Sequence, residues 1–386
     1  MKDLATAIAG MRRSGIREIM DLAAARDDVL HLEVGEPDFP TPSHIVDAAA
    51  EAARAGFTKY TANKGLLEVR EVMAAKLAES NGIEASADEI VITVGAISGL
   101  METMATIVDP GDAVLIPDPG WPNYEMIGSA LNARVVRYPL LQHRGFEPDL
   151  AELERLAEST PGAKALIANS PGNPTGAVFP ETVVRAMVDI ARAADLYLVS
   201  DECYEHIVFE GDHIGPARFD GEGRVVSVFS LSKSYAMTGW RIGYVAATRV
   251  IADEIAKVQE VVTSCATAVS QKAAQAAIAG DQSCVAEMRD SYRERRDLAV
   301  ELLKADGILL SRPRGSFYIT ASTAATGLEG YEFCRRLLSE RGVAVAPGET
   351  FGPGGKGMVR LSLATERSVL EEGIKRLGSA VREWST

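Results

Sequence analysis

From about Glu89 onward, short runs of apolar and β-branched residues alternate with stretches whose apolar positions recur every three or four residues. Seven runs read as strands: Ile90 to Val94, Ala113 to Ile116, Arg134 to Tyr138, Ala165 to Ala168, Tyr197 to Ser200, Val225 to Phe229 and Ile242 to Ala246. Between them, Ser98 to Val108 and Thr182 to Ala194 carry helical spacing, and Pro180 suits an early helix position. Near-continuous apolar strands joined by helical crossovers predict an α/β, doubly wound, mostly parallel sheet covered on both faces. A longer helical stretch, Arg249 to Ile278, and a charged one, Val285 to Ala305, then lead into a smaller α+β unit. There Ser316 to Thr320, Val343 to Ala346 and Met358 to Leu363 read as strands, with helices at Tyr331 to Arg341 and Glu366 to Arg382. The Pro- and Gly-rich stretch Gly35 to Pro42 ends an N-terminal segment expected to join that unit. The expected division is 1–42, 43–280 and 281–386, with no internal repeat.

Composition narrows the function. Across 386 residues, 47% hydrophobic and 24% charged content allows a sizeable core and argues against disorder. The net charge of -14 repels phosphate backbones and anionic membranes, so nucleic acid and membrane surfaces are not expected partners. The four cysteines form no CxxC pair and the five histidines no HExxH, so no metal is expected and a reducing, cytoplasmic setting is. Arg12 and Arg13 invite comparison with a twin-arginine signal, but the charged stretch that follows has no apolar region, and no targeting segment is expected. No apolar run approaches the roughly 18 to 20 residues that span a bilayer.

In an open parallel sheet, ligands bind beyond the carboxyl ends of the strands, so the residues that follow each strand carry the chemistry. Gly95, Ala96 and Ile97 open a helix, whose free N–H groups favour a phosphate. Asp118-Pro119-Gly120-Trp121 holds an aromatic on a rigid turn. Asn169-Ser170-Pro171-Gly172-Asn173-Pro174-Thr175-Gly176 fixes an amide in a tight loop, and Asp201 to Tyr204 puts an acid at a strand tip. Ser230-Leu231-Ser232-Lys233 ends the series, with Arg241 eight residues past the lysine. An amine nucleophile, a carboxylate, a phenol, an amide, an aromatic plate and a phosphate cradle are what pyridoxal phosphate requires.

Ser230 to Gly243 and Asn169 to Gly176 resemble the class I/II aminotransferases, which are fold-type-I pyridoxal-phosphate enzymes. The resemblance runs in order from Gly35-Glu36-Pro37-Asp38-Phe39, through Tyr60-Thr61 and Gly65-Leu66, to Val359-Arg360-Leu361-Ser362. It implies that Lys233 forms the Schiff base and moves protons, that Asp201 pairs with the ring nitrogen, and that Tyr204 and Asn173 hydrogen-bond the ring oxygen. It further implies that Trp121 stacks on the ring while Ser230, Ser232, Arg241 and the Gly95 to Ile97 segment hold the phosphate. Tyr60 would reach the partner subunit's phosphate in a homodimer. Arg360, helped by Gly35, Asn173 and Trp121, would hold the substrate, with Arg360 clamping its α-carboxylate.

The expected activity is transfer of an amino group from an L-amino acid to a 2-oxo acid by a ping-pong route through Lys233. Where Ile97 stands, many aspartate-using relatives carry a lysine, which favours a neutral or apolar donor with 2-oxoglutarate or pyruvate as acceptor. Arg12, Arg13 or Arg17 could instead supply a charge from the N-terminal segment. A β-lyase, decarboxylase or oxidase shares the same scaffold, and a non-enzymatic regulator has less support, given the acidic charge. The glycine-rich stretch Gly352 to Gly357 has Thr350 where a P-loop needs its first glycine, and is read as a loop.

Overall fold

All seven runs enter one sheet in the computed structural model, which describes residues 4–11 and 13–385. In chain order the strands are β1 (Leu30–His31), β2 (Ile90–Thr93), β3 (Ala113–Asp118), β4 (Arg134–Leu141), β5 (Glu147–Pro148), β6 (Ala163–Asn169), β7 (Tyr197–Asp201), β8 (Val225–Ser230) and β9 (Gly243–Ala246). The large sheet has eight strands in the order β2-β9-β8-β7-β6-β3-β4-β5. Strands β8, β7, β6, β3 and β4 run parallel, whereas β9 is antiparallel to both β8 and β2. The eighth strand, β5, turns back on the end of β4 through Gln142–Arg144, and two residues carry no alternation by which a sequence could announce it.

Every residue of β2, β8 and β9 is buried, as expected of strands covered on both faces. The stretch expected to be one helix from Arg249 to Ile278 is two, Arg249–Val262 and Ala268–Ala279. Ser264 between them has φ 62°, a left-handed conformation that no α-helix continues through, although the apolar spacing carries on across the break. Helices Ser43–Arg54 and Leu67–Lys76 place Ile45, Ala49, Val69 and Met73 in one core with Ala273 and Ala277. Leu67–Lys76 runs on into a π-helical turn, Leu77–Asn81.

A second, three-stranded antiparallel sheet follows, built from β10 (Tyr318–Ser322), β12 (Ala346–Pro347) and β13 (Met358–Ser362) in the order β10-β13-β12. Here β10 starts two residues later than the sequence predicts, because Ser316 takes φ 54°. The remaining strand, β11 (Val343–Ala344), pairs with β1. Ile19, Ala23 and Leu32 share one core with Phe317, Ile319, Leu361 and Leu377, which ties the N-terminal segment to the small sheet. Among the described residues, no helix is long and apolar enough to cross a membrane, and no cluster of His, Cys, Asp and Glu is placed to hold a metal ion.

Helix Gly95–Ile107, which leaves the end of β2, buries Glu102 completely. One carboxylate oxygen accepts from Ser98 Oγ at 2.5 Å and the other is buried without a partner. Burial, opposed by the Ser98 hydroxyl, pushes this carboxyl up to about 7. The folded chain therefore holds the proton more tightly than the unfolded chain, so Glu102 costs stability as pH rises from its ordinary 4.5 to about 7, and the cost persists above that. Glu102→Gln is expected to match the parent protein near pH 4.5 and to exceed it by roughly 1–3 kcal/mol above pH 7, read from urea unfolding across that range. A difference that does not change with pH would contradict this.

Candidate active site

A cavity of about 380 Å³ opens where the carboxyl ends of the parallel strands meet the small sheet. Its floor comes from β6 and β7, whose final residues, Asn169 and Asp201, are register partners. The Asn169 Nδ2 group donates to the Asp201 carbonyl at 3.0 Å, and Asn169 Oδ1 accepts from the Asn173 amide at 2.8 Å. One asparagine thus fixes both the strand tip and the tight loop beside it. Asp201 is buried, and both donors to its carboxylate are neutral: the Tyr124 hydroxyl at 2.6 Å and the Cys203 amide at 3.2 Å. Burial pushes the Asp201 carboxyl up, while its contacts with Cys203 and Tyr124 oppose the rise.

The facing wall belongs to the small sheet. On β13, Arg360 is the register partner of Thr320 on one side and Ala346 on the other, and it is 2% exposed. Its guanidinium donates to Asn173 Oδ1 at 3.1 Å and to the Glu33 carbonyl at 2.5 Å, while Nε is buried without a partner. Those acceptors are neutral too. The guanidinium lies 4.2 Å from the Tyr318 ring centroid and 5.1 Å from that of Phe351, and burial lowers its pKa.

Lys233 lines the same cavity, in a short helix capped by Ser230 at the end of β8. Its Nζ donates to the Gly35 carbonyl at 2.7 Å. Gly35 itself has no room for a side chain, since a Cβ would lie 2.1 Å from the Tyr318 hydroxyl. That hydroxyl is 3.1 Å from the Tyr204 hydroxyl, and burial raises the Tyr204 phenol well above its ordinary value, with Tyr318 adding to the rise. Trp121 caps a helix starting at Pro122 and meets Tyr124 edge-on, at 5.6 Å between ring centroids.

Of the residues expected at the site, the cavity brings together Gly35, Trp121, Asn173, Asp201, Tyr204, Lys233 and Arg360. Gly95, Ala96, Ile97, Ser230, Ser232 and Arg241 are not on its walls; they form an adjoining group. Because β9 runs antiparallel to β8, Gly243 pairs with Ser230, and the chain just before β9 returns to the same sheet edge. Arg241 there approaches Gly95, whose Cβ would lie 2.6 Å from Nη2. A Cβ on Gly243 would lie 2.8 Å from the Ala96 amide nitrogen. Ser230 Oγ accepts from the Ser232 amide at 3.1 Å, leaving its own proton to donate. Helix Gly95–Ile107 points its first amides into this group, which suits an anion. Tyr60 stands apart, 88% exposed on the chain surface.

The helix Gly15–Ala23 supplies the remaining wall. Gly15, Ile19 and Ala23, spaced four apart, face the core, which leaves Ile16, Arg17 and Met20 on the cavity side. Of the three arginines considered in this segment, Arg17 lines the cavity, exposed Arg13 pairs with Asp21 at 3.5 Å, and Arg12 lies outside the described residues. Sequence reasoning missed Tyr124, Asn169 and Tyr318. Asn169 directly follows a predicted strand and could have been suspected; Tyr124 and Tyr318 reach the site only through pairing and packing.

The family described as aminotransferase class I and II matches residues 27–377. The chain is 39% identical to an aspartate aminotransferase of Pyrococcus abyssi, covering 96% of each chain. It is 37% identical to an aromatic-amino-acid aminotransferase of Thermococcus litoralis, again covering 96% of each. Among solved structures it is similar to aspartate aminotransferase from Thermus thermophilus with maleate, at a TM-score of 0.93 and 36% identity, covering 98% of this chain and 100% of that one.

Tyr124→Phe removes the stronger of the two donors to the buried Asp201 carboxylate. A loss of about 1–2 kcal/mol in urea unfolding at neutral pH is expected; unchanged stability would show that the bond carries no net energy.

Proposed function

The chain belongs to the class I and II aminotransferases and transfers amino groups between amino acids and 2-oxo acids, and on that premise we propose that pyridoxal 5'-phosphate binds at this cavity. The observation that carries the proposal is the pair of buried charges with neutral partners, Asp201 and Arg360, lining one cavity together with Lys233. A buried carboxylate held only by neutral donors suits a protonated ring nitrogen, and a buried guanidinium with neutral acceptors suits a substrate carboxylate. The anion-favouring group at Gly95, Ser230 and Arg241 suits the phosphate. When bound, the cofactor supplies an electrophilic carbon that takes the amino group and a ring that draws electrons from the substrate Cα.

On this reading Asp201 keeps the ring nitrogen protonated, Trp121 covers one ring face, and Tyr204 and Asn173 hydrogen-bond the ring oxygen. Gly95, Ala96, Ile97, Ser230, Ser232 and Arg241 hold the phosphate. Arg360 binds the substrate α-carboxylate through Nη1, Nη2 or the free Nε, with Gly35 and Asn173 bordering it, and this orients the Cα–H bond towards Lys233. Lys233 Nζ would then take the Cα proton as base and deliver it as acid in a 1,3 shift across the nitrogen being transferred. The Gly15–Ala23 helix, above the same wall, excludes water from that proton transfer.

We assign the donor as a neutral or apolar amino acid, aromatic ones included, and the acceptor as 2-oxoglutarate. Ile16, Met20 and Trp121 give an apolar side-chain wall, and Arg17 beside them suits the distal carboxylate of the acceptor. A homodimer is supported by exposed Tyr60, Leu67, Val261 and Val262. Asn63 bonds Glu260 at 2.8 Å and Lys64 pairs with Asp253 at 2.5 Å, which lays the segment between Tyr60 and Leu67 beside the helix that carries the two valines. Four free thiols suit a reducing cytoplasm.

The deciding experiment is the visible spectrum of the purified protein, without oxygen, titrated with single amino acids and no acceptor. A lysine-linked cofactor band that bleaches once per subunit with release of the 2-oxo acid is expected, and Lys233→Ala should lack both band and turnover. A protein in which added pyridoxal phosphate raises no band would overturn the cofactor proposal. In a separate measurement, Arg17→Met is expected to raise KM for 2-oxoglutarate about threefold to tenfold while leaving pyruvate nearly unchanged. Equal effects on both acceptors would remove Arg17 from that role.

A further inference from the structure

The turn that follows β7 has two faces. Asp201, Cys203 and Tyr204 look into the cavity, while Glu202 and Glu205 point the other way, both buried. Glu202 meets His213 Nε2 at 2.7 Å. Glu205 Oε2 accepts from Lys76 Nζ at 2.5 Å and from Asn81 Nδ2 at 2.8 Å, and His206 Nε2 lies 3.6 Å from Oε1. Although burial raises it, Lys76, His206, His213 and Asn81 together hold the Glu205 carboxyl down at about 2, so it is charged at working pH. Neither Lys76 nor Asn81 lines the active-site cavity.

Lys76 and Asn81 are five residues apart and grip the same oxygen atom. In an α-helix, residues five apart diverge by about 140° around the axis. The wider π-helical turn Leu77–Asn81 brings such residues much closer to one face, so the helix is wound abnormally at the place where two donors converge on one carboxylate. The Lys76 ammonium also sits 4.8 Å from the centroid of Phe229, the residue before Ser230 in β8. One ammonium therefore braces the turn that carries Tyr204 and the strand that leads to Lys233.

We propose that the Leu77–Asn81 π-turn, with Lys76 and Asn81 clamped on Glu205, is a positioning device that fixes the Tyr204 phenol and through it the acidity of the Lys233–cofactor linkage. This rests on the cofactor reading above. Tyr204 immediately precedes Glu205, and its hydroxyl is otherwise located by Tyr318 at 3.1 Å and its ring by Phe317 at 5.4 Å. A phenol donating to the ring oxygen favours the deprotonated linkage, so a phenol that wanders raises the pKa of that linkage. The groups facing Glu205 are Lys76, Asn81, His206 and His213, with Tyr235 and Tyr244 behind them, and none of these six lines the cavity.

The test is a pH titration of the cofactor's visible band in the resting holoenzyme, for the parent protein, Asn81→Leu, and the pair Lys76→Met with Glu205→Met. The paired change removes both charges at once, so no lone ion is left buried. Asn81→Leu leaves the ion pair in place and decides the matter if the paired variant does not fold. Each folded, cofactor-loaded variant is expected to titrate about half a unit or more higher than the parent, with kcat down about threefold to tenfold and KM for the amino acid within twofold. The same changes made on Tyr204→Phe should produce no further shift, because the clamp acts through that hydroxyl. An unmoved pKa, or a shift that persists in full without the phenol, overturns the inference while leaving the cofactor assignment intact. A parent protein that never develops the band overturns both.

Discussion

The site is organised around two ions that the fold takes out of water without giving either an ionic partner. Removing a carboxylate or a guanidinium from solvent costs several kcal/mol, and neutral hydrogen bonds recover only part of it. Asp201 and Arg360 both stand in that condition, one at a strand tip of the large sheet and one in the middle strand of the small sheet. The rest of the cavity follows from holding them: Tyr124 and Asn169 support the first, Asn173, Tyr318 and the Glu33 carbonyl the second. Asn173 lies between, its backbone amide anchored through Asn169 to the β7 side and its side-chain Oδ1 accepting from the Arg360 guanidinium.

Topology makes this arrangement possible with few residues. Parallel strands deliver one chain end each to the same edge, and the reversed strand β9 brings back the chain that follows the lysine's own helix. Gly243 can pair with Ser230 and still pass the Ala96 amide only because it has no side chain. The sheet order, rather than any local motif, is what puts Arg241 beside Gly95.

Much of this was legible in the chain because the informative residues follow strands. Lys233, Asp201 and Asn173 each sit just past an apolar run, at the end of the sheet where an open cleft is expected, and all three line the cavity. The strands themselves were visible through their continuous apolar character. What was hidden depended on contacts between distant segments or on geometry that leaves no periodic trace. Tyr318 reaches Tyr204 across 114 residues, and nothing near it in sequence says so. The break at Ser264 interrupts a helix without interrupting its apolar spacing, and β5 is too short to alternate. The π-turn is likewise invisible until Glu205, far along the chain, is seen to need two donors from it.

The Gly15–Ala23 helix belongs to neither β-sheet, and its two faces divide the labour: one is fastened to the small-sheet core, the other forms part of the cavity wall. Ile16 still packs against Ala346 and Phe351, beside Arg360, whereas Arg17 and Met20 lie on the cavity side and outside the cores. Such a module lets selection retune what is recognised while what is done to it stays fixed. A laboratory library confined to positions 17 and 20 would change one wall of the cavity while leaving the strand tips Asn169 and Asp201 as they are.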